Sequence, residues 1–419
     1  MEARRPGAGA EGGGLRLRVA ALLPYLGPAF VASIAYVDPG NFATNIAAGS
    51  LFGYDLLWVI LAANLVAILV QSLAARLGIA SGRTLPEWSR LLFPRGLNRF
   101  LWAVAELGAM ATDLAELTGA ALGLHLLLHM ALLPAAAVAA ALTLLLLALE
   151  RRGYRLLEQV IIAFLGVIAA AYVWEAVRAR PDPAAVLGHL LLPRLARGEL
   201  PYAAGIFGAT VMPHVVYLHS ALVLPRRRAG VDPEFLGRRE QLDVLVAMNV
   251  AFVVNASLLV MAAAAFGARG LAVLDLAEAH RTLEPLFGRA AAAVFALGLL
   301  ASGLASSVVG TLAGQTILEG FVEIRLPLPV RRLLTLLPAA LLLGAGVDPL
   351  RMLLWSQVVL SFALPFALGP LLFFNASRRV MGRRVAPLWL TLLAGAVTLL
   401  VVAMDGALLL ESLPPLFRR

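Results

Sequence analysis

Two short stretches of this 419-residue chain set a proline in the middle of an apolar run, beside side chains able to bind a cation. The first reads Ser33-Ile34-Ala35-Tyr36-Val37-Asp38-Pro39-Gly40-Asn41, the second Gly208-Ala209-Thr210-Val211-Met212-Pro213-His214. A proline inside a helix removes a backbone donor and clashes with the preceding turn, and Gly40 tolerates unusual backbone, so both runs should break. Each break frees carbonyls on its N-terminal side, near Ala35 and Ala209, and in hydrocarbon such groups are costly unless bound. Asp38 adds a carboxylate, Asn41 an amide oxygen and Met212 a thioether. Oxygen donors alone would suit Mg²⁺ or Ca²⁺, whereas the soft sulfur favours later, more polarisable divalent metals. With neither cysteine nor a required histidine among them, these donors should bind loosely enough to release. A carboxylate at mid-membrane costs at least ~2.5–3.5 kcal/mol, which makes Asp38 a functional candidate.

The elements that must hold these groups follow from composition. Hydrophobic residues make up 61% of the chain, charged residues only 14%, and the mean hydropathy is +0.87, which excludes an ordinary soluble domain. Cysteine is absent, so no disulfide scaffold or thiolate metal centre is available. A hydrocarbon core about 30 Å thick needs roughly 20 apolar residues per helix. Apolar stretches at 19–51, 54–79, 99–124, 128–149, 156–178, 201–224, 242–267, 286–320, 332–346, 350–374 and 386–410 predict eleven transmembrane helices, the first and sixth discontinuous. Residues 1–18 read as a flexible cytoplasmic tail, 19–178 and 201–374 as two five-helix repeats, and 386–410 as an eleventh helix. Each break opens a block of five spans, as in inverted-repeat transporters, whose sites lie where broken helices meet. The first run has no small-residue cleavage site, which argues against a signal peptide.

All 34 basic residues are arginine, and the net charge is +9. They sit in short loops rather than in a continuous stripe, so nucleic acid is not an expected partner. With the N-terminus inside, 24 of the 34 fall on inner segments, so the expected topology has a cytoplasmic N-terminus and an outer C-terminus.

A second set of groups could move protons. Glu106, Asp113 and Glu116 recur at i, i+7 and i+10 in the third span, within roughly 80° of one another around a helix. Buried together they should repel, so that at least one holds a proton near neutrality; pairing with arginines, among Arg238, Arg239, Arg331 and Arg332, is the structural alternative. His214 and His219 follow the second break and could titrate or simply pack. Glu158, Asp243 and Glu319 lie near predicted span ends and read as interfacial charges. His125 and His129 have helical metal-ligand spacing but no carboxylate near them in sequence.

The paired motifs Asp38-Pro39-Gly40-Asn41 and Met212-Pro213-His214, with Ala111-Thr112-Asp113-Leu114-Ala115-Glu116 and Tyr217-Leu218-His219-Ser220, resemble the signatures of the Nramp (natural resistance-associated macrophage protein) metal-ion transporters. The resemblance covers essentially the whole chain and is closest to bacterial members, which places the chain in a bacterial plasma membrane. It implies an all-α polytopic membrane protein with a leucine-transporter-type 5+5 inverted repeat, and proton-coupled import of Mn²⁺, Fe²⁺ and similar ions. It also implies ligation by Asp38, Asn41, Met212 and the carbonyls of Ala35 and Ala209, with Gln357 joining in an occluded state. No permanently bound cofactor is expected, and the chain is expected to act as a monomer in the lipid bilayer, with the metal ion and protons as its partners. The competing reading is an organic-solute or amino-acid symporter of the same fold, in which half-helix N-termini receive a substrate carboxylate that Asp38 would repel. A channel would use similar ligands. A membrane enzyme has no support, since no His-Glu-x-x-His motif occurs.

Overall fold

The computed structural model describes residues 27–149, 153–196, 198–227, 231–273 and 275–412. The tail expected at 1–18, and 19–26 of the first span, lie outside them. Regular structure among the described residues is entirely helical. The first span is two helices, α1 (Pro28–Ala35) and α2 (Pro39–Phe52), followed by α3 (Leu57–Ser81), a short α4 (Leu85–Leu92), and then α5 (Arg95–Leu128), α6 (Leu132–Leu147) and α7 (Tyr154–Arg178). After α8 (Pro183–Leu191), the sixth span is again divided, into α9 (Leu200–Thr210) and α10 (Pro213–Leu222). The remainder is α11 (Pro233–Ala265), α12 (Leu276–Phe287), α13 (Arg289–Val322), α14 (Leu328–Gly344), α15 (Pro349–Ala376), the single turn α16 (Arg378–Met381) and α17 (Leu388–Ser412).

Seven segments are long and apolar enough to cross a membrane unaided, one of them the α9–α10 pair taken together. The other expected spans fall short of that test for plain reasons. Helices α1 and α2 have 8 and 14 residues because a proline parts them, α6 and α14 have only 16 and 17, and the 34-residue α5 carries three intramembrane acids. The division between the third and fourth spans falls at His129, whose left-handed backbone (φ 54°) ends α5, and α6 departs at 114°. His125 Nδ1 bonds the Met130 carbonyl at 2.5 Å, so both histidines shape this turn. Helix α11 begins nine residues before the apolar run expected at 242. Asp232 caps it by accepting from the Glu234 amide and Pro233 occupies its first turn, so the helix extends past the apolar run through charged residues.

Helix α1 packs on α10 and α2 on α9, so the two broken helices run antiparallel with their breaks side by side. This is the 5+5 inverted repeat of eleven spans with the first and sixth discontinuous. The most extensive pairing is α5 with α13. It depends on Gly303, where a Cβ would lie 2.6 Å from the Ala120 nitrogen and 2.8 Å from the Glu116 carbonyl oxygen, so only a small residue lets the backbones meet. Replacing Gly303 with Val should therefore force the helices apart, costing about 1–3 kcal/mol and lowering the melting temperature in detergent. An unchanged melting temperature would contradict this contact.

Candidate metal site

Pro39 and Pro213 are the first residues of α2 and α10, and each lies four positions after an alanine, Ala35 and Ala209. Four positions on is where a helical carbonyl finds its donor, and proline has none to offer. Helix α1 tightens as it ends, with Tyr36 N–H donating to Ser33 and Val37 N–H to Ile34 at 3.0 and 3.1 Å. The next carbonyls are taken by side chains from other spans. Asn255 Nδ2 of α11 donates to the Tyr36 carbonyl at 2.7 Å, and Ser302 Oγ of α13 to the Val37 carbonyl at 2.5 Å. Among the described residues, no donor reaches the Ala35 carbonyl.

Asp38 is the N-cap of α2. Its Oδ1 accepts the Asn41 backbone N–H at 2.9 Å and Oδ2 accepts that of Gly40 at 3.1 Å, where the helix dipole favours a negative charge. The carboxylate is fully buried, and no basic side chain pairs with it among the described residues. Asn41 Nδ2 then bridges Asp38 Oδ1 and the Ala209 carbonyl oxygen, at 2.8 Å from each, so oxygens of both broken helices converge on one point. The two oxygens flank a single amide nitrogen. Thr210 Oγ1 donates to Asn41 Oδ1 at 3.2 Å, and turning that amide would offer its oxygen to the same point. Met212, fully buried at the second break, packs in the apolar cluster that includes Ala35 and Val37. Gln357 of α15 is within hydrogen-bonding reach of the Asp38 carboxylate, and its buried Oε1 has no donor among the described residues. Gly40 makes this approach possible, since a Cβ there would stand 1.7 Å from Gln357 Nε2. The structure thus gathers Ala35, Asp38, Asn41, Ala209, Met212 and Gln357 around the two breaks.

The three acids of α5 meet arginines of α14. Arg331 Nη2 donates to Glu106 Oε1 at 2.8 Å. Arg332, fully buried, pairs with Asp113, lies 3.7 Å from Glu116 Oε2 and donates to Ser307 Oγ at 2.5 Å. Among the described residues no N–H or hydroxyl group bonds either carboxylate oxygen of Glu116, which lies within hydrogen-bonding reach of the Asp113 carboxyl and within electrostatic range of Asp38. Arg238 and Arg239 are not partners of these acids: Arg238 pairs with Glu234, and Arg239 stacks on Phe235.

The two histidines separate. His214 faces α5, with Nδ1 3.0 Å from Thr112 Oγ1, next to Asp113. His219 instead bonds Gln71 Oε1 through Nδ1 at 2.8 Å and Glu240 Oε1 through Nε2 at 3.0 Å, while Gln71 Nε2 donates to the Tyr36 hydroxyl at 2.6 Å. Five residues turn a helix by about 140°, which is why one histidine joins the acid chain and the other does not.

Two expected interfacial charges prove to be buried structural groups. Asp243 Oδ2 accepts the N–H groups of Gly27 and Ala29 at 3.0 Å each, capping the start of α1, and Glu158, 1% exposed, pairs with Arg155 and Arg226 at 2.5 and 2.7 Å. Glu319 remains partly exposed, 3.4 Å from Arg325. Sequence reasoning missed Asn255, Ser302, Gln71 and Glu240. The signal for Asn255 and Gln71 was an amide inside an apolar span.

A family model described as "Natural resistance-associated macrophage protein-like" matches residues 29–411. A "Divalent metal cation transporter MntH" of Deinococcus radiodurans is 50% identical over 396 residues, covering 94% of this chain and 91% of that one. Another of the same description, from Caldanaerobacter subterraneus subsp. tengcongensis, is 49% identical over 371 residues, covering 88% of each. Among solved structures, an Eremococcus coleocola manganese transporter in complex with an aromatic bis-isothiourea substituted compound superposes with a TM-score of 0.85 at 30% identity, covering 96% of this chain and 87% of that one. Mhp1, a nucleobase-cation-symport-1 family transporter, shares the fold at a TM-score of 0.63 and 17% identity, over 87% and 81% of the chains.

Two variants probe the geometry. Gly40→Ala should displace Gln357 and weaken Mn²⁺ binding about tenfold in calorimetry; unaltered affinity would remove Gln357 from the site. Arg332→Leu should cost about 3–5 kcal/mol by stranding Asp113 and Glu116. Adding Asp113→Asn should restore part of the lost melting temperature, and no restoration would break the assigned pairing.

Proposed function

Because the chain belongs to the natural resistance-associated macrophage protein-like family, we propose that it imports divalent transition-metal ions, Mn²⁺ and Fe²⁺ foremost, together with protons, by alternating access. The observation that carries this reading is Asp38: a buried carboxylate without a basic partner among the described residues, joined through the Asn41 amide to the Ala209 carbonyl that Pro213 deprives of its donor. Asp38, Asn41, Met212, Gln357 and the carbonyls of Ala35 and Ala209 hold the ion. The sulfur of Met212 selects against Mg²⁺ and Ca²⁺, whose preferred donors are all oxygen. As the two broken helices tilt together, the ion meets first one side of the membrane and then the other.

Protons travel by the chain of α5. Glu116 is the entry acid, within range of Asp38 and within hydrogen-bonding reach of Asp113, and Asp113 and Glu106 continue the route along Arg332 and Arg331. His214 links the break to this chain through Thr112, while His219 holds the packing of α10 against α3 and α11. The chain works as a monomer in a bacterial plasma membrane, with its N-terminus and arginine-rich loops inside, and it performs no catalysis. An organic-solute symporter fits less well, because a substrate carboxylate would meet the like charge of Asp38, which has no basic partner among the described residues.

Mn²⁺ uptake into proteoliposomes tests the reading. Asp38→Ala should reduce uptake at least about 100-fold, and Met212→Ala should keep Mn²⁺ uptake while letting Ca²⁺ compete. Undiminished uptake by Asp38→Ala would end the proposal, and unchanged selectivity in Met212→Ala would end the sulfur filter.

A further inference from the structure

A crevice of about 400 Å³ lies at the end of the bundle that carries the arginine-rich loops, between α3, the start of α11 and the segment joining α16 to α17. Arg76, Arg238, Arg383 and Arg384 line it, against Glu234 and Glu240. The two carboxylates are already engaged, Glu234 with Arg238 at 2.7 Å and Glu240 with His219 at 3.0 Å. Arg76 is held by the carbonyls of Arg384 and Val385, at 2.9 and 3.1 Å, and its buried Nε has no partner. Among the described residues, none of Arg76, Arg383 and Arg384 meets a carboxylate. The crevice is therefore a positively charged hollow with strong donors left over.

Its walls and rim say what kind of anion fits. Ala75, Ile79 and Val244 make the inner wall apolar. Beside it, Leu388, Trp389, Leu242 and Leu245 are 73%, 66%, 39% and 49% exposed, a lipid-facing surface. An exposed tryptophan marks headgroup depth, and basic hollows between helices at that depth suit anionic headgroups. A freely soluble phosphate would gain nothing from the apolar rim.

We infer that this crevice is a binding site for the phosphodiester headgroup of an anionic phospholipid, with Arg76, Arg383 and Arg384 as its ligands and the acyl chains lying along α11 and α17. One chain of contacts runs from the crevice to the end of α1: Glu240 bonds His219, His219 bonds Gln71, and Gln71 bonds the hydroxyl of Tyr36. Only the leaflet rests on the proposed orientation, and lipid binding can be measured without transport.

The test is titration of the purified full-length protein in detergent with phosphatidylglycerol or phosphatidylcholine, counting bound lipid by native mass spectrometry. The wild type should prefer phosphatidylglycerol, and Arg383→Gln/Arg384→Gln should weaken that binding about 30-fold, the equivalent of roughly 1 kcal/mol for each arginine. Arg378→Gln/Arg379→Gln, two exposed arginines on the same connection but outside the crevice, should leave it unchanged. Equal loss in both double variants, or no preference for phosphatidylglycerol, would overturn the site. Displacement of the lipid by millimolar inorganic phosphate would overturn the lipid assignment in favour of a soluble anion. Mn²⁺ binding by Arg383→Gln/Arg384→Gln should match the wild type, so failure here and failure of the metal reading are separable.

Discussion

The architecture turns on a backbone group that hydrocarbon cannot satisfy. A helical carbonyl inside a bilayer must find a donor within the protein, and a proline four residues later takes that donor away. Here this happens twice, at Ala35 and Ala209, and the two broken helices pack half against half, α1 on α10 and α2 on α9. The protein then repairs part of the loss with Asn255 and Ser302, which reach the carbonyls of Tyr36 and Val37 from α11 and α13. The Ala35 carbonyl is left over, and the helix start that Pro39 creates holds Asp38 through the Gly40 and Asn41 amides. Breaking the helix and fixing this buried carboxylate are one structural event.

The intramembrane carboxylates are sorted by their company. Asp38 has backbone and amide donors but no basic side chain among the described residues. Asp113 and Glu106 have an arginine each, while Glu116 shares Arg332 at a longer distance and lies within reach of the Asp113 carboxyl. Glycine governs this arrangement: at Gly310 a Cβ would stand 2.8 Å from Glu116 Oε2, so a bare backbone on α13 makes room for that acid. The close crossing of α5 and α13 thus sets the spacing of the charges as well as the packing of the core.

At the opposite extreme of burial, the arginine-rich end of the bundle joins the metal-carrying helix to the membrane surface. Asp243 caps α1, Glu158 binds Arg155 and Arg226 beside it, and Glu240 begins the line of hydrogen bonds that ends at Tyr36. Charges that look interfacial by position along the chain hold the first half-helix in place. A surface crevice adjoining Glu240 therefore connects to that half-helix rather than standing apart from it.

The helical spans, the two breaks and the donors beside them were legible in the residues, because each depends on local chemistry: apolar length, a missing N–H, a carboxylate beside a proline. Asp38, Asn41 and Met212 could be named for that reason, and the i, i+7, i+10 spacing of the acids of α5 predicted their shared face. Partnership was not legible. Four arginines were equally eligible for those acids, and only the packing of α14 on α5 selects Arg331 and Arg332, leaving Arg238 to Glu234 and Arg239 to Phe235. Likewise Asn255, Ser302, Gln71 and Glu240 matter through contacts with residues up to hundreds of positions away. The chain by itself determined where backbone donors are missing and which ligands stand next to the gaps; the tertiary structure alone decided what fills them, because hydrogen bonds and ion pairs in a bilayer are chosen by helix crossings that bring distant segments to the same depth.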